Sequence, residues 1–180
     1  MSYQYGQLLS GTFFPGSVFA NLSGSTTDNI TYNFSLQALD LNSIFTNNAF
    51  IGSVAVDTSF AKKEALPSAT LVGSGNGISD IGTSSAGGPG GVYDFRYVLG
   101  GGQDRLTANE SVNWTSTFAM EHMIDPGLFA LHVQGLTEQQ GGSAFYIPTA
   151  APVPGALPLM AYALSLFGIA GKRRKQRTSI

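Results

Sequence analysis

Residues 29–41 read NITYNFSLQALDL and carry the clearest structural signal in the chain. Apolar side chains occupy every second position, at Ile30, Tyr32, Phe34, Leu36 and Ala38, and polar or small residues fill most of the positions between them. An alternation with period two places one face of an extended strand in a core and the other face in solvent. The stretch therefore predicts a half-buried β-strand.

Further segments with strand character lie on both sides of this stretch. They cover residues 3–9, 11–22, 50–58, 92–99, 111–118, 128–134 and 143–147, and the last two suggest a hairpin-like pair. Residues 60–66 fit one helical turn or an edge strand, and the Gly-, Ser- and Pro-containing residues 74–91 fit a loop. The sequence predicts an all-β domain over residues 1–150: a jelly-roll-like antiparallel β-sandwich of about 8–10 short strands.

Residues 151–180 differ from the rest of the chain in composition. They open with Pro152-Val153-Pro154, where the prolines fix φ and favour an extended backbone. Residues 156–171 carry no charge, and as a helix they extend about 24 Å, which can span a core of about 30 Å if the flanking basic side chains reach the interface. The flanking cluster comprises Lys172, Arg173, Arg174, Lys175 and Arg177. Positive flanks stay cytoplasmic, so this cluster sets the orientation of the predicted single transmembrane helix.

This order of parts resembles the PEP-CTERM sorting signal of Gram-negative bacteria, with Val153 in place of the usual Glu of the Pro-x-Pro motif. The resemblance covers residues 151–180 only. It implies export through the inner membrane, transient retention there, and processing at Pro152-Val153-Pro154 by an exosortase. It also implies release to the cell surface or to an extracellular space rich in exopolysaccharide. It implies nothing about what residues 1–150 do.

The charge of the chain is unevenly distributed. The net charge is −2, but five of the nine basic residues lie in the tail. The body keeps all eleven acidic residues and only Lys62, Lys63, Arg96 and Arg105, a balance of −7. Nucleic-acid binding needs basic side chains on the phosphates, so this balance argues against a nucleic-acid partner. The absence of cysteine excludes disulfides and thiol catalysis.

The first residues do not fit an exported protein. A leader begins with a basic region followed by an apolar region, whereas residues 1–16 have neither and enter directly into strand-like alternation. We expect a missing or miscalled start. If Met1 is the true start, the alternative is a cytoplasmic tail-anchored membrane protein.

Candidate chemistry in the body is sparse. His122 and His132 can share a metal only if the fold brings them together with Glu121 or Asp125, and ordinary structural histidines are the simpler interpretation. Three other acids, Asp80, Asp94 and Asp104, suggest a calcium site or a glycosidase pair, with Asp94 and Asp104 facing each other across the 100–102 turn. Solvated surface carboxylates explain them more simply. The sequence therefore predicts no catalytic residue and no cofactor, with calcium as a weak alternative.

Two further patterns bear on carbohydrate. Trp114, Tyr93 and Tyr97 can stack on sugar rings, although core packing explains their positions more simply. Five Asn-x-Ser/Thr sites begin at Asn21, Asn29, Asn33, Asn109 and Asn113. We interpret them as a polar strand face rather than as glycan attachment sites.

Together these features predict a non-catalytic protein of the cell surface or extracellular matrix. Its expected partners are an exosortase-type enzyme, the inner membrane before processing, and exopolysaccharide or another biofilm component. The alternative from a different class is a carbohydrate-binding or carbohydrate-active β-sandwich module.

Overall fold

The central part of residues 29–41 forms a strand as predicted, β3 (Thr31–Ala38). Tyr32, Phe34, Leu36 and Ala38 are buried, whereas Asn33 and Gln37 are exposed. The computed structural model describes residues 2–58, 65–75, 78–85, 87–100 and 104–149.

The regular secondary structure of the described residues consists of ten strands and a few single helical turns. The strands are β1 (Ser2–Ser10), β2 (Ala20–Thr26), β3, β4 (Phe50–Val56), β5 (Ser68–Ser74), β6 (Ile81–Ser84), β7 (Phe95–Leu99), β8 (Ser111–Thr117), β9 (Phe129–Gln134) and β10 (Ser143–Pro148). One short α-helix, α1 (Leu41–Ile44), follows β3, and 3₁₀ turns cover Pro89–Gly91, Pro126–Leu128 and Glu138–Gln140.

All ten strands belong to one antiparallel sheet in the order β5-β8-β3-β2-β1-β10-β9-β4-β7-β6. The two end strands, β5 and β6, follow each other in the chain and also lie near each other, so the sheet nearly closes on itself. At this junction the Ser74 hydroxyl donates to the carbonyl of Ile78 at 2.7 Å. The all-β antiparallel class is therefore confirmed, and the strands form one continuous sheet.

Aromatic rings fill the centre of the core. The Phe34 ring lies 5.2 Å from that of Trp114, 5.7 Å from that of Phe129 and 5.8 Å from that of Tyr97. Tyr97 donates from its hydroxyl to Ser116 Oγ at 2.8 Å, and Ser116 donates to the carbonyl of Ser68 at 3.0 Å. These contacts satisfy the buried hydroxyl groups of Tyr97 and Ser116.

Three of the predicted elements are corrected. Residues 11–19 are not strand, because β2 begins only at Ala20. Strand β5 was not predicted, and β6 lies inside the stretch 74–91 that was predicted as a loop. Both are edge strands rich in Ser, Thr and Gly, so neither gives a strong apolar alternation.

Several predictions concern residues that the structure does not describe. Residues 59–64, 150 and 151–180 are not described, so the alternatives for 60–66, the Pro152-Val153-Pro154 motif, the transmembrane helix and the basic cluster stay predictions. Among the described residues, no helix is long and apolar enough to cross a bilayer. By its contacts, Met1–Thr149 forms one unit.

Candidate functional site

The outward face of strands β2, β3, β8 and β5 is polar and carries no charge. None of the four strands contains Asp, Glu, Lys or Arg. Because side chains alternate between the faces of a strand, the residues between the buried positions all point outward. Apart from Val72 on β5, the side chains that point outward are mainly Ser, Thr, Asn and Gln.

Strand register arranges these side chains in rows across the sheet. One row contains Ser23, Ser35 and Asn113, and the next contains Ser25, Asn33, Thr115 and Thr70. A third row contains Asn21, Gln37 and Ser111. Neighbouring strands lie about 4.8 Å apart and alternate residues about 6.8 Å apart, so the polar groups form a regular two-dimensional array.

A shallow groove of about 340 Å³ lies over part of this array. It is lined by Ser23, Ser25, Asn33, Ser35 and Asn113, by Gly24 and the buried Phe34 and Trp114, and by Val72, which is 67% exposed. Val72 lies at a register shift of β5, where the strand carries an extra residue between Leu71 and Gly73. The bulge thus places an apolar side chain beside the polar rows.

The amide of Asn33 is oriented by a cross-strand contact. Thr115 donates from its hydroxyl to Asn33 Oδ1 at 2.8 Å. Because Oδ1 accepts this bond, the amide of Asn33 is oriented, and its nitrogen supplies two further donors. Such cross-strand pairs hold a polar face in one arrangement.

The interpretation of three Asn-x-Ser/Thr sites as a polar strand face is confirmed. Asn21 and Ser23 lie on β2, Asn33 and Ser35 on β3, and Asn113 and Thr115 on β8, so each site places its two polar side chains on the same outward face. The other two sites lie in turns: Asn29 and Asn109 are the two described non-glycine residues with positive φ, at 55° and 64°.

Two of the three suggested calcium ligands lie together. Asp80 and Asp104 line a pocket of about 300 Å³ beside Gly100, and Asp104 accepts a hydrogen bond from the Ser79 hydroxyl. Asp94 instead precedes β7 at its other end, where its Oδ2 accepts from Thr58 N at 2.9 Å and from the Thr58 hydroxyl at 3.0 Å. The prediction that Asp94 faces Asp104 across the turn is therefore wrong, because β7 separates them.

The histidines lie in different environments. His122 is buried in the β8–β9 connection, where its backbone N–H donates to the carbonyl of Asn29 at 2.8 Å and its backbone carbonyl accepts from the Tyr32 hydroxyl. His132 lies in β9 and stacks on Phe145, with ring centroids 4.2 Å apart. Within the described ranges, no three His, Cys, Asp or Glu side chains are grouped so that they can hold a metal ion.

A second polar group lies around His132. Ser53 is directly opposite it on β4, and Arg96 lies opposite Ala55 on the neighbouring β7. Burial, with a smaller effect of the Arg96 charge, lowers the pKa of His132 from 6.5 to about 4. Ser53 Oγ is buried and makes no hydrogen bond to a described residue, so the contact that activates a serine nucleophile is not made between Ser53 and His132.

The aromatic residues considered for sugar stacking are mostly core residues. Trp114 is 1% exposed and Tyr97 is fully buried, as core packing predicted. Tyr93 is half-buried in the segment that precedes β7, beside Gly87 and Gly88. A carbohydrate site on this protein therefore cannot use Trp114 or Tyr97 as a stacking platform.

The chain matches no family model, no curated protein and no solved structure.

Proposed function

We propose that this chain is a non-catalytic exported protein of the cell surface or extracellular matrix, sorted through a PEP-CTERM-like signal at residues 151–180. The observation that carries the proposal is the order of the three tail parts directly after the last strand. β10 ends at Pro148, and Thr149 donates from its N–H and hydroxyl to the carbonyl of Gln4 at 2.7 and 3.1 Å. The body thus makes its last described sheet contact three residues before Pro152.

We further propose that the two halves of the sheet pack face to face as in a jelly-roll-like sandwich, and that a single transmembrane helix follows the body. An exosortase cuts at or just after Pro152-Val153-Pro154 and removes the basic cluster that set the orientation. The inner membrane is a transient partner, and exopolysaccharide or another biofilm component surrounds the released protein.

A second candidate is a carbohydrate-binding module. It is favoured by the uncharged groove over Asn33 and Asn113, and it is compatible with the first candidate because a matrix protein can also bind a matrix polymer.

Membrane insertion of the tail can be tested by substitution. We expect Leu164→Asp with Phe167→Asp to move the chain from the membrane to the soluble fraction, because each charge near a helix centre costs about 2.5–3.5 kcal/mol on insertion. Carbonate extraction of cell membranes measures this. Leu164→Ile with Phe167→Leu is the matched control and should remain carbonate-resistant. Unchanged retention of the aspartate variant would rule out a membrane-spanning tail.

A further inference from the structure

We propose that the groove over β2, β3 and β8 is a binding site for an uncharged polysaccharide. This inference deepens the proposed function, because it rests on a matrix setting for the supply of the polymer and assigns the contact to one face of the body. The site is the array around Asn33, Ser35 and Asn113, flanked by Val72.

The hydrogen-bonding groups of this face match those of a sugar. Hydroxyl and carboxamide side chains both donate and accept, and the hydroxyls of a sugar do the same. Either partner can therefore supply the complement that the other needs at each position. Charged side chains are fixed as donors or acceptors, and the four strands of this face contain none.

The polar rows of this face repeat along the strands. One hydrogen bond exchanged with water contributes little to binding, so a flat polar face holds a single sugar weakly. The rows through Ser35 and Asn33 repeat at about 6.8 Å along the strands. A polymer with hydroxyls on each residue can contact several rows at once, and the contacts then act together.

The negative charge of the body favours a neutral polymer. The rest of the body is acidic, with a balance of −7 over its basic and acidic residues. An acidic polysaccharide is repelled by this field, and a basic polymer would be drawn to carboxylates away from the uncharged face. A neutral polymer is the one class that the face accepts without opposition from the remainder of the body.

The strands and side chains of this face are held in place before any ligand binds. Strands β2, β3 and β8 are interior strands of the sheet, with a hydrogen-bonded neighbour on each side. The Thr115 contact orients Asn33, and buried Phe34 and Trp114 anchor the two strands from below. Side chains that are already positioned lose little conformational freedom on binding.

The test is native affinity electrophoresis of the full chain in gels containing a polysaccharide. The detergent should be of the polyoxyethylene type, since a detergent with a sugar headgroup can compete for the groove. Neutral dextran, mannan and galactomannan are compared with acidic alginate and polygalacturonate. We expect retardation by at least one neutral polymer and none by the acidic polymers.

Substitutions then locate the site. Asn33→Ala with Asn113→Ala should weaken retardation about tenfold, because several hydrogen bonds are lost together. Ser35→Asp should abolish it by placing a charge in the groove. Gln7→Ala removes an exposed amide on β1, outside the groove, and should bind as the parent chain does. Circular dichroism melting checks that each variant is folded.

The inference is overturned if none of the neutral polymers retards the chain, if alginate retards it equally, or if the folded groove variants bind normally. It is also overturned if the groove variants instead abolish a dimer of the chain, since the face would then be an interface between copies. None of these outcomes bears on the sorting proposal, which the Leu164 and Phe167 variants test separately.

Discussion

At the scale of single residues, His132 shows how the fold sets chemistry that the sequence does not display. Its ring stacks on Phe145 and lies near Arg96, and burial is the larger reason that its pKa falls to about 4. The imidazole is therefore neutral at pH 7 and stays neutral well into mildly acidic conditions. A neutral, stacked histidine without a hydrogen-bonded serine is a packing residue.

This protonation behaviour makes stability depend on pH. Unfolded His132 titrates near 6.5 and so binds more protons than the folded residue between pH 6.5 and 4. The neutral folded form is accordingly favoured above pH 6.5, and that stabilisation is lost as pH falls through this window. Relative to His132→Gln, we expect the parent protein to lose about 1 kcal/mol more between pH 7 and pH 5, a value reduced for partial solvent exposure.

Urea unfolding followed by fluorescence measures this difference, since Trp114 is the single tryptophan and is buried. The carboxylates titrate in both proteins, so the variant removes their contribution from the comparison. Equal loss of stability in the two proteins would show that His132 titrates normally in the folded state.

At the scale of elements, the turn after β9 depends on one glycine. Gly135 has φ of +74°, and an added Cβ would lie 2.1 Å from the carbonyl oxygen of Asn48. The Gly135 carbonyl also accepts from the Thr46 hydroxyl at 2.9 Å, which fixes the backbone in place. The close approach therefore needs glycine for two reasons, its conformation and its size.

Gly142 provides the matched control, because its φ is +72° and nothing lies within 4 Å of an added Cβ. Gly142→Ala should cost about 1 kcal/mol, the strain of a left-handed conformation alone. Gly135→Ala should cost at least about 2 kcal/mol more, because the backbone must also shift. Urea midpoints of the two variants give the comparison, and equal values would contradict the close approach at Asn48.

Elements with strong apolar alternation were predictable from the sequence. β3 and β8 fall within the predicted stretches, and Val112, Trp114, Ser116 and Phe118 are all buried. The antiparallel pairing of β9 with β10 also matches the predicted hairpin-like pair. β5 and β6 were missed because their stability comes from pairing with β8 and β7, which local sequence does not report.

The candidate site shows the same division. The polar strand face was predictable from the Asn-x-Ser/Thr spacing, since two residues separated by one lie on the same side of a strand. The rows were not predictable, because they depend on which strands are neighbours and in what register. The position of Asp94 away from Asp104 depends on where β7 begins and ends, because this strand lies between the two residues.

At the scale of the whole molecule, the body carries its own core and sheet within residues 2–149. The chain Met1–Thr149 forms one unit by its contacts, and β1 pairs with both β2 and β10. This pairing connects the first and last strands of the body directly. We therefore predict that residues 1–150 fold without the tail.

Circular dichroism of this fragment tests the prediction. It should show a β-type spectrum and one cooperative melting transition. The full chain, with its predicted helix, is the comparison and should add helical signal. A fragment that melts without a transition would mean that the body depends on residues after 150.

We propose that residues 151–180 direct sorting and are then removed. The intact mass of the protein recovered outside the cell tests this proposal. We expect a C-terminus at or just after Pro152-Val153-Pro154. Loss of the five basic tail residues would then bring the isoelectric point well below the 5.5 of the full sequence. Extracellular protein that still ends at Ile180 would contradict the claim.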